Sequence, residues 1–206
     1  MKTAIIHITL VCFALSLHGE SLFHQEKGLG PGDKVDDFSL TGIDGNTVSL
    51  SDYMNKKGVI IIFTSNSCPF ATGYEERMIA LHNKYAREGF PVIAINPNDE
   101  KQQPGESMEK MIIKSETAGF PFPYLKDDIQ LCRIFGASRT PEVYLLQKDG
   151  ETFRVAYTGA IDSQPIRTNG PNTRYLENAL SSLLRGETPD PAVIPAVGCT
   201  IKNKRN

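Results

Sequence analysis

The stretch Val59-Ile60-Ile61-Ile62-Phe63-Thr64-Ser65-Asn66-Ser67-Cys68-Pro69-Phe70 decides how this chain folds. Its first five residues are apolar and rich in β-branched side chains, the composition of a buried strand. A short polar loop follows, then a cysteine and a proline. Residues 70–87 then read as a helix, with Met78, Ile79, Leu81 and Tyr85 forming its apolar face. Proline suits a first helical position, where a backbone N–H would be unpaired anyway. Cys68 therefore sits at the mouth of a helix, where unpaired N–H groups and the positive dipole end favour a thiolate. Such positions lower a thiol pKa below its usual value of about 8.5 and make the sulfur a nucleophile. A cysteine serving only as a small hydrophobe belongs in the apolar strand or on the apolar helix face. Cys68 lies in the polar junction between them.

Working outward, residues 36–40 and 46–50 read as short strands around Asp44-Gly45, a hairpin turn signal. Residues 91–95 form a second apolar strand, ended by Asn96-Pro97-Asn98-Asp99. Residues 100–106 read as a polar loop, Ser107 opens a helix towards Ala118, and 121–125 is extended. Asp127-Asp128 starts a short helix carrying Cys132. Residues 143–146 and 153–157 pair as a hairpin across Lys148-Asp149-Gly150, and 172–184 is a last helix. Strands alternating with helices require crossover connections and hence a parallel portion of sheet. The closing hairpin adds antiparallel strands. The order matches a thioredoxin-like three-layer α/β/α sandwich, an α/β fold with a mixed central sheet and an N-terminal hairpin extension. Beyond Gly186, Pro189, Pro191 and Pro195 predict an extended C-terminal tail, residues 186–206.

The 206 residues are 40% hydrophobic and carry a net charge of −2, which suits one globular domain and gives no global attraction to nucleic acid. Lys2 followed by the mostly apolar residues 4–17 and the small residues Ala14-Leu15-Ser16 reads as a signal peptide within residues 1–19. Export to the periplasm or outside the cell follows, with no membrane span in the mature chain. Cys12 leaves with that segment, and Cys68, Cys132 and Cys199 remain in a compartment that permits disulfides. Three is an odd number, so one thiol is free or paired between chains. With no CxxC and no Cys/His cluster, no metal and no cofactor are expected. His82 is read as a surface residue on the first long helix.

Three stretches carry a resemblance. They are Gly32-Asp33-Lys34-Val35-Asp36-Asp37-Phe38-Ser39-Leu40 with its hairpin, the strand running into Cys68-Pro69, and Thr140-Pro141 ahead of a strand. Together, over residues 30–185, they resemble the thioredoxin-like superfamily, in its redoxin branch with the thiol-specific antioxidant and alkyl hydroperoxide reductase proteins. Asn66-Ser67-Cys68-Pro69-Phe70, Ala94-Ile95-Asn96-Pro97-Asn98-Asp99 and Val197-Gly198-Cys199-Thr200 are similar to a peroxiredoxin-like group with a single active-site cysteine. The resemblance implies an antioxidant oxidoreductase with a redox-active cysteine. It also implies a cis Thr140-Pro141 bond facing Cys68, with Pro69, Thr140 and Pro141 at the substrate. The departures are as informative. Ala71 stands where a CxxC would have its second cysteine. Ile61 and Ser65 stand where a peroxiredoxin has Pro and Thr, so Ser65 is the candidate to replace the Thr hydroxyl. Arg139 is the candidate for the arginine that reaches the thiolate.

The implied reaction is attack by Cys68 on a peroxide oxygen or a disulfide sulfur, resolved by a second thiol and reset by a thiol electron donor. Cys199 is the candidate resolving thiol, and Cys132, beside Leu131 and Ile134-Phe135, is the candidate core residue. A disulfide needs Cα atoms within about 7 Å, so an undocked tail implies none. Two other classes stay open: a thioredoxin-fold binding or chaperone-like module with little turnover, and a structural domain with a permanent Cys68–Cys199 bridge.

Overall fold

The computed structural model describes residues 28–203. The expected signal segment lies outside the described residues. The chain runs β1 (Lys34–Val35), β2 (Ser39–Gly42), β3 (Thr47–Ser49), β4 (Gly58–Phe63), α1 (Pro69–Tyr85), β5 (Val92–Asn96), α2 (Met108–Ala118), β6 (Tyr124–Lys126) and α3 (Leu131–Phe135). It continues with β7 (Arg139–Thr140), β8 (Glu142–Asp149), β9 (Thr152–Gly159), α4 (Tyr175–Leu184), β10 (Val193–Ile194) and β11 (Cys199–Thr200).

Among the described residues, nine strands form one mixed sheet in the order β1-β9-β8-β4-β5-β6-β2-β3, with β10 added beside β9. The β4–β5 and β5–β6 pairs are parallel; β4–β8, β8–β9 and the β2–β3 hairpin are antiparallel. Every residue of β4 and β5 is buried, because both faces of the sheet are covered. Period-2 alternation then divides the side chains between two cores. Ile60 and Ile62 face α1 and α4, packing with Met78, Leu81, Leu176 and Leu180. Val59, Ile61 and Phe63 face α3, packing with Leu131, Cys132 and Phe135. A register shift at Leu145/Leu146 leaves Ala156 of β9 without a direct partner. Across that extra residue Val155 points into the α3-side core and Tyr157 into the α1-side core, the change of face a bulge produces.

Local chemistry sets the element ends. Ser107 Oγ caps α2 by accepting the Lys110 N–H at 3.3 Å, and Gly119, at φ +68°, closes it in the left-handed region. The Asp127 carboxylate accepts the N–H groups of Leu131 (2.6 Å) and Cys132 (2.8 Å) at the start of α3.

Two local expectations change. His82 is half-buried, not a surface residue: its Nδ1 accepts the Val92 N–H at 3.2 Å and its ring packs on Phe122, because β5 and the 120–124 segment close over that end of α1. Residues 104–106 form a 3-10 turn whose Glu106 is fully buried.

Residues 193–202 are built into the fold. β10 runs parallel to β9, with the Ala160 N–H donating to Ile194 O at 2.9 Å. Beyond Cys199, Ile201 is buried in the α3-side core and donates its N–H to Ser138 O at 3.0 Å. Lys202 N–H donates to Asn98 Oδ1 at 2.8 Å and its carbonyl accepts the Asp99 N–H at 2.7 Å.

Candidate active site

β4 delivers the chain to one end of the sheet, and α1 carries it away. Between them Asn66 and Ser67 expose two backbone N–H groups with no helix or strand partner, and such groups need acceptors when buried. Glu106 supplies them. Its Oε1 accepts the Ser65 hydroxyl (2.6 Å) and the Ser67 N–H (3.0 Å), and also the Ser67 hydroxyl; its Oε2 accepts the Asn66 N–H (2.9 Å) and the Asn96 amide (2.8 Å). Burial by itself raises the carboxyl pKa, but the hydrogen bonds from Ser65, Ser67, Asn66 and Asn96 outweigh it and hold Glu106 below its ordinary value. The Tyr124 hydroxyl donates to Asn66 Oδ1 at 2.8 Å, tying the same loop to β6.

Cys68 is the N-cap residue of α1 in extended conformation, Pro69 is in the first turn, and Cys68 is 3% exposed. Its N–H donates to Ser65 Oγ at 3.1 Å. Its sulfur lies 3.2 Å from the Thr140 carbonyl oxygen. The Thr140-Pro141 bond is cis, and Thr140 is buried against Cys68. Cys68 is disulfide-bonded to Cys199 across 131 residues of sequence, with Cα atoms 6.0 Å apart. β11 brings Cys199 there by pairing antiparallel with β7, Cys199 opposite Thr140 and Thr200 opposite Arg139. The tail is therefore docked, and the bridge that an undocked tail would preclude is present.

Of the sequence candidates, Cys68, Pro69, Thr140, Pro141 and Cys199 meet at one point. Ser65 is next to it but does not take the expected part. A hydroxyl has one proton to give. The Ser65 proton goes to Glu106, while the oxygen accepts from Cys68 and Ser67, so it has no proton for the Cys68 sulfur. Arg139 is exposed, and its guanidinium donates to Thr200 Oγ1 at 2.7 Å rather than to the thiol. Sequence reading missed Glu106, which lies 41 residues from Ser65 inside an apparently polar loop. The unpaired N–H groups ahead of Cys68 signal that an acceptor is needed, but not which residue provides it.

The other cysteine, Cys132, is fully buried on α3. Burial, and then the Asp127 carboxylate, push its thiol up to about 12. Among the described residues no group of three or more His, Cys, Asp or Glu side chains could hold a metal ion, and no helix is long and apolar enough to cross a membrane.

Residues 31–155 match the AhpC/TSA family. The chain belongs to that family. The redoxin is 24% identical over 168 residues to a thiol-disulfide oxidoreductase ResA of Geobacillus thermodenitrificans, covering 81% of this chain and 91% of that protein. It is 28% identical over 117 residues to a putative peroxiredoxin of Mycobacterium tuberculosis, covering 56% of this chain and 69% of that one. The crystal structure of an uncharacterized conserved protein from Geobacillus kaustophilus superposes with a TM-score of 0.77 at 33% identity, over 86% of this redoxin and 93% of that chain. The layered sheet described above is the thioredoxin-like fold.

Proposed function

We propose that this redoxin is a thiol-disulfide oxidoreductase in which Cys68 is the nucleophile and Cys199 the resolving thiol. The observation that carries this reading is the meeting of both cysteines at Thr140, Cys68 by its sulfur from the helix mouth and Cys199 by the backbone pairing of β11. In the dithiol form the Cys68 thiolate attacks one sulfur of a substrate disulfide. A Cys68–substrate bond forms and the other half leaves as a thiolate. Cys199, as thiolate, then attacks Cys68, forming the intramolecular bridge and releasing the second substrate thiolate. The substrate gains two electrons and the protein pair loses two. An external thiol donor restores the dithiol by the reverse exchange.

Attack on peroxide is the second reading, supported by the resemblance to a putative peroxiredoxin. It is less well served here, since the Ser65 proton is committed to Glu106. Lys2 and the apolar stretch of residues 4–17 support action outside the cytoplasm.

The test is to mix the fully reduced protein with a small aliphatic disulfide or with hydrogen peroxide, quench with an alkylating agent, and follow the Cys68–Cys199 bridge by peptide mass. Faster closure by the disulfide is expected. Closure by peroxide with Cys68 inert to disulfides would replace this reading with the peroxidase one. A bridge that no thiol donor reduces would make it a structural staple.

A further inference from the structure

The segment that closes the bridge also fills a strand edge. Thr140 and Arg139 of β7 present their backbone beside Cys68, and Cys199 and Thr200 pair with them antiparallel. The residue before the cysteine is held most tightly. A β-carbon at Gly198 would run into Thr140 O, and would lie 2.7 Å from Thr140 C and 3.2 Å from Pro141 N. Those atoms have little freedom to retreat. Thr140 is 1% exposed, and Glu142, two residues on, begins β8, whose residues Glu142 to Gln147 pair with β4. One position earlier the restriction ends. Val197 is 53% exposed and borders a cavity of about 170 Å³ lined by Pro141, Tyr74, Ile161 and Pro195.

We propose that Gly198–Thr200 occupies the docking edge of the protein's own redox partner, and that this partner presents an extended segment whose reacting cysteine directly follows a glycine. The inference deepens the function proposed above and rests on Cys68 being the nucleophile. Any chain that brings a sulfur to Cys68 while pairing with Thr140 must pass its preceding residue over the same Thr140-Pro141 atoms, so it meets the same exclusion of a β-carbon. Two positions upstream it can carry an apolar side chain, as Val197 does here. While the bridge is closed the edge is filled, so partner docking requires the dithiol form.

The test uses the full chain with Cys199→Ser, which keeps Cys68 and removes the competing thiol. Two peptides, Ac-Ala-Val-Gly-Cys-Thr-Ile-amide and the same peptide with alanine in place of glycine, are each activated as the mixed disulfide with thionitrobenzoate. The Cys68 thiolate attacks the peptide sulfur, a Cys68–peptide bond forms, and thionitrobenzoate leaves as the coloured thiolate. The tail remains present and competes equally with both peptides. The glycine peptide is expected to react at least about tenfold faster. In the otherwise native chain Gly198→Ala should slow closure of the Cys68–Cys199 bridge by a similar factor. A symmetrical aromatic disulfide, which has no backbone to pair, serves as the reference. Equal rates for the two peptides with rapid reaction of the aromatic disulfide overturn the glycine requirement and leave Cys68 as the nucleophile. No reaction with any of the three overturns both.

Discussion

Two cysteines of this redoxin lie at the starts of helices, each beside a buried carboxylate. Cys68 caps α1, and its supporting loop is held by Glu106; Cys132 is the second residue of α3, and its N–H is held by Asp127. The carboxylates respond in opposite directions. Glu106 receives five hydrogen bonds and titrates below its ordinary value, because those bonds outweigh burial. Asp127 is raised because burial outweighs the backbone bonds from Cys132 and Leu131. The surroundings of the two sulfurs also differ. Cys132 is packed against Phe135 and Leu131 with the Asp127 charge beside it, which disfavours a thiolate. Cys68 stands where the chain leaves the apolar strand, against a backbone carbonyl and a second sulfur. A helix start is therefore not sufficient to make a reactive cysteine; what surrounds the sulfur decides.

The largest expected effect separates the two sulfurs. Cys68→Ser should reduce disulfide-reducing turnover to the uncatalysed background, while Cys132→Ser should retain most of the native rate. Assayed with a thiol donor and a small disulfide, equal losses in both variants would break the comparison. Alkylation sharpens it next. In the reduced protein at pH 7, Cys68 should react with iodoacetamide about a thousandfold faster than Cys132. A thiol near 8.5 is a few per cent thiolate at that pH and one near 12 is almost none. Peptide-resolved labelling against pH gives both apparent pKa values, and a Cys68 value at or above 8.5 would count against a helix-mouth effect.

The carboxylates come third. Glu106→Ala leaves several buried donors of the Ser65–Ser67 loop without an acceptor and should cost about 3–5 kcal/mol in urea unfolding. The smallest effect is a pair of slopes. The folded pKa of Glu106 is depressed, so its contribution is present above the unfolded carboxyl value and is lost as pH falls through the folded value. The stability gap between wild type and Glu106→Gln should shrink on acidification. The folded pKa of Asp127 is raised, so wild type should gain on Asp127→Asn as pH falls through that value. Parallel slopes in the two series would show that the two sites are alike.

Much of the scaffold was legible because it depends on short-range pattern. The apolar run ending at Phe63, the Cys68-Pro69 helix start, the Asp44-Gly45 turn and the Ser107 cap each rest on a few neighbouring residues. Local periodicity also placed Cys132 in the core. The burial of His82 is not legible locally, because the residues that cover it, Val92 and Phe122, belong to other elements. Glu106 looks like a loop charge in sequence because its five donors come from Ser65, Asn66, Ser67 and Asn96. The position of Ser65 in sequence does not show that its one proton goes to Glu106.

By itself the sequence determined the order of strands and helices, the mixed sheet, and a cysteine at the mouth of the first long helix. All three follow from periodicity and capping, which act over a few residues. Only the tertiary structure decided what stands around that cysteine. Glu106 reaches back to the loop, Ile201 enters the α3-side core and draws the chain end down, and Gly198 lets the tail pass close enough to Thr140 for Cys199 to meet Cys68. Those contacts join residues far apart along the chain, and they exist only once burial of the two cores has brought the sheet edge, the loop and the tail together.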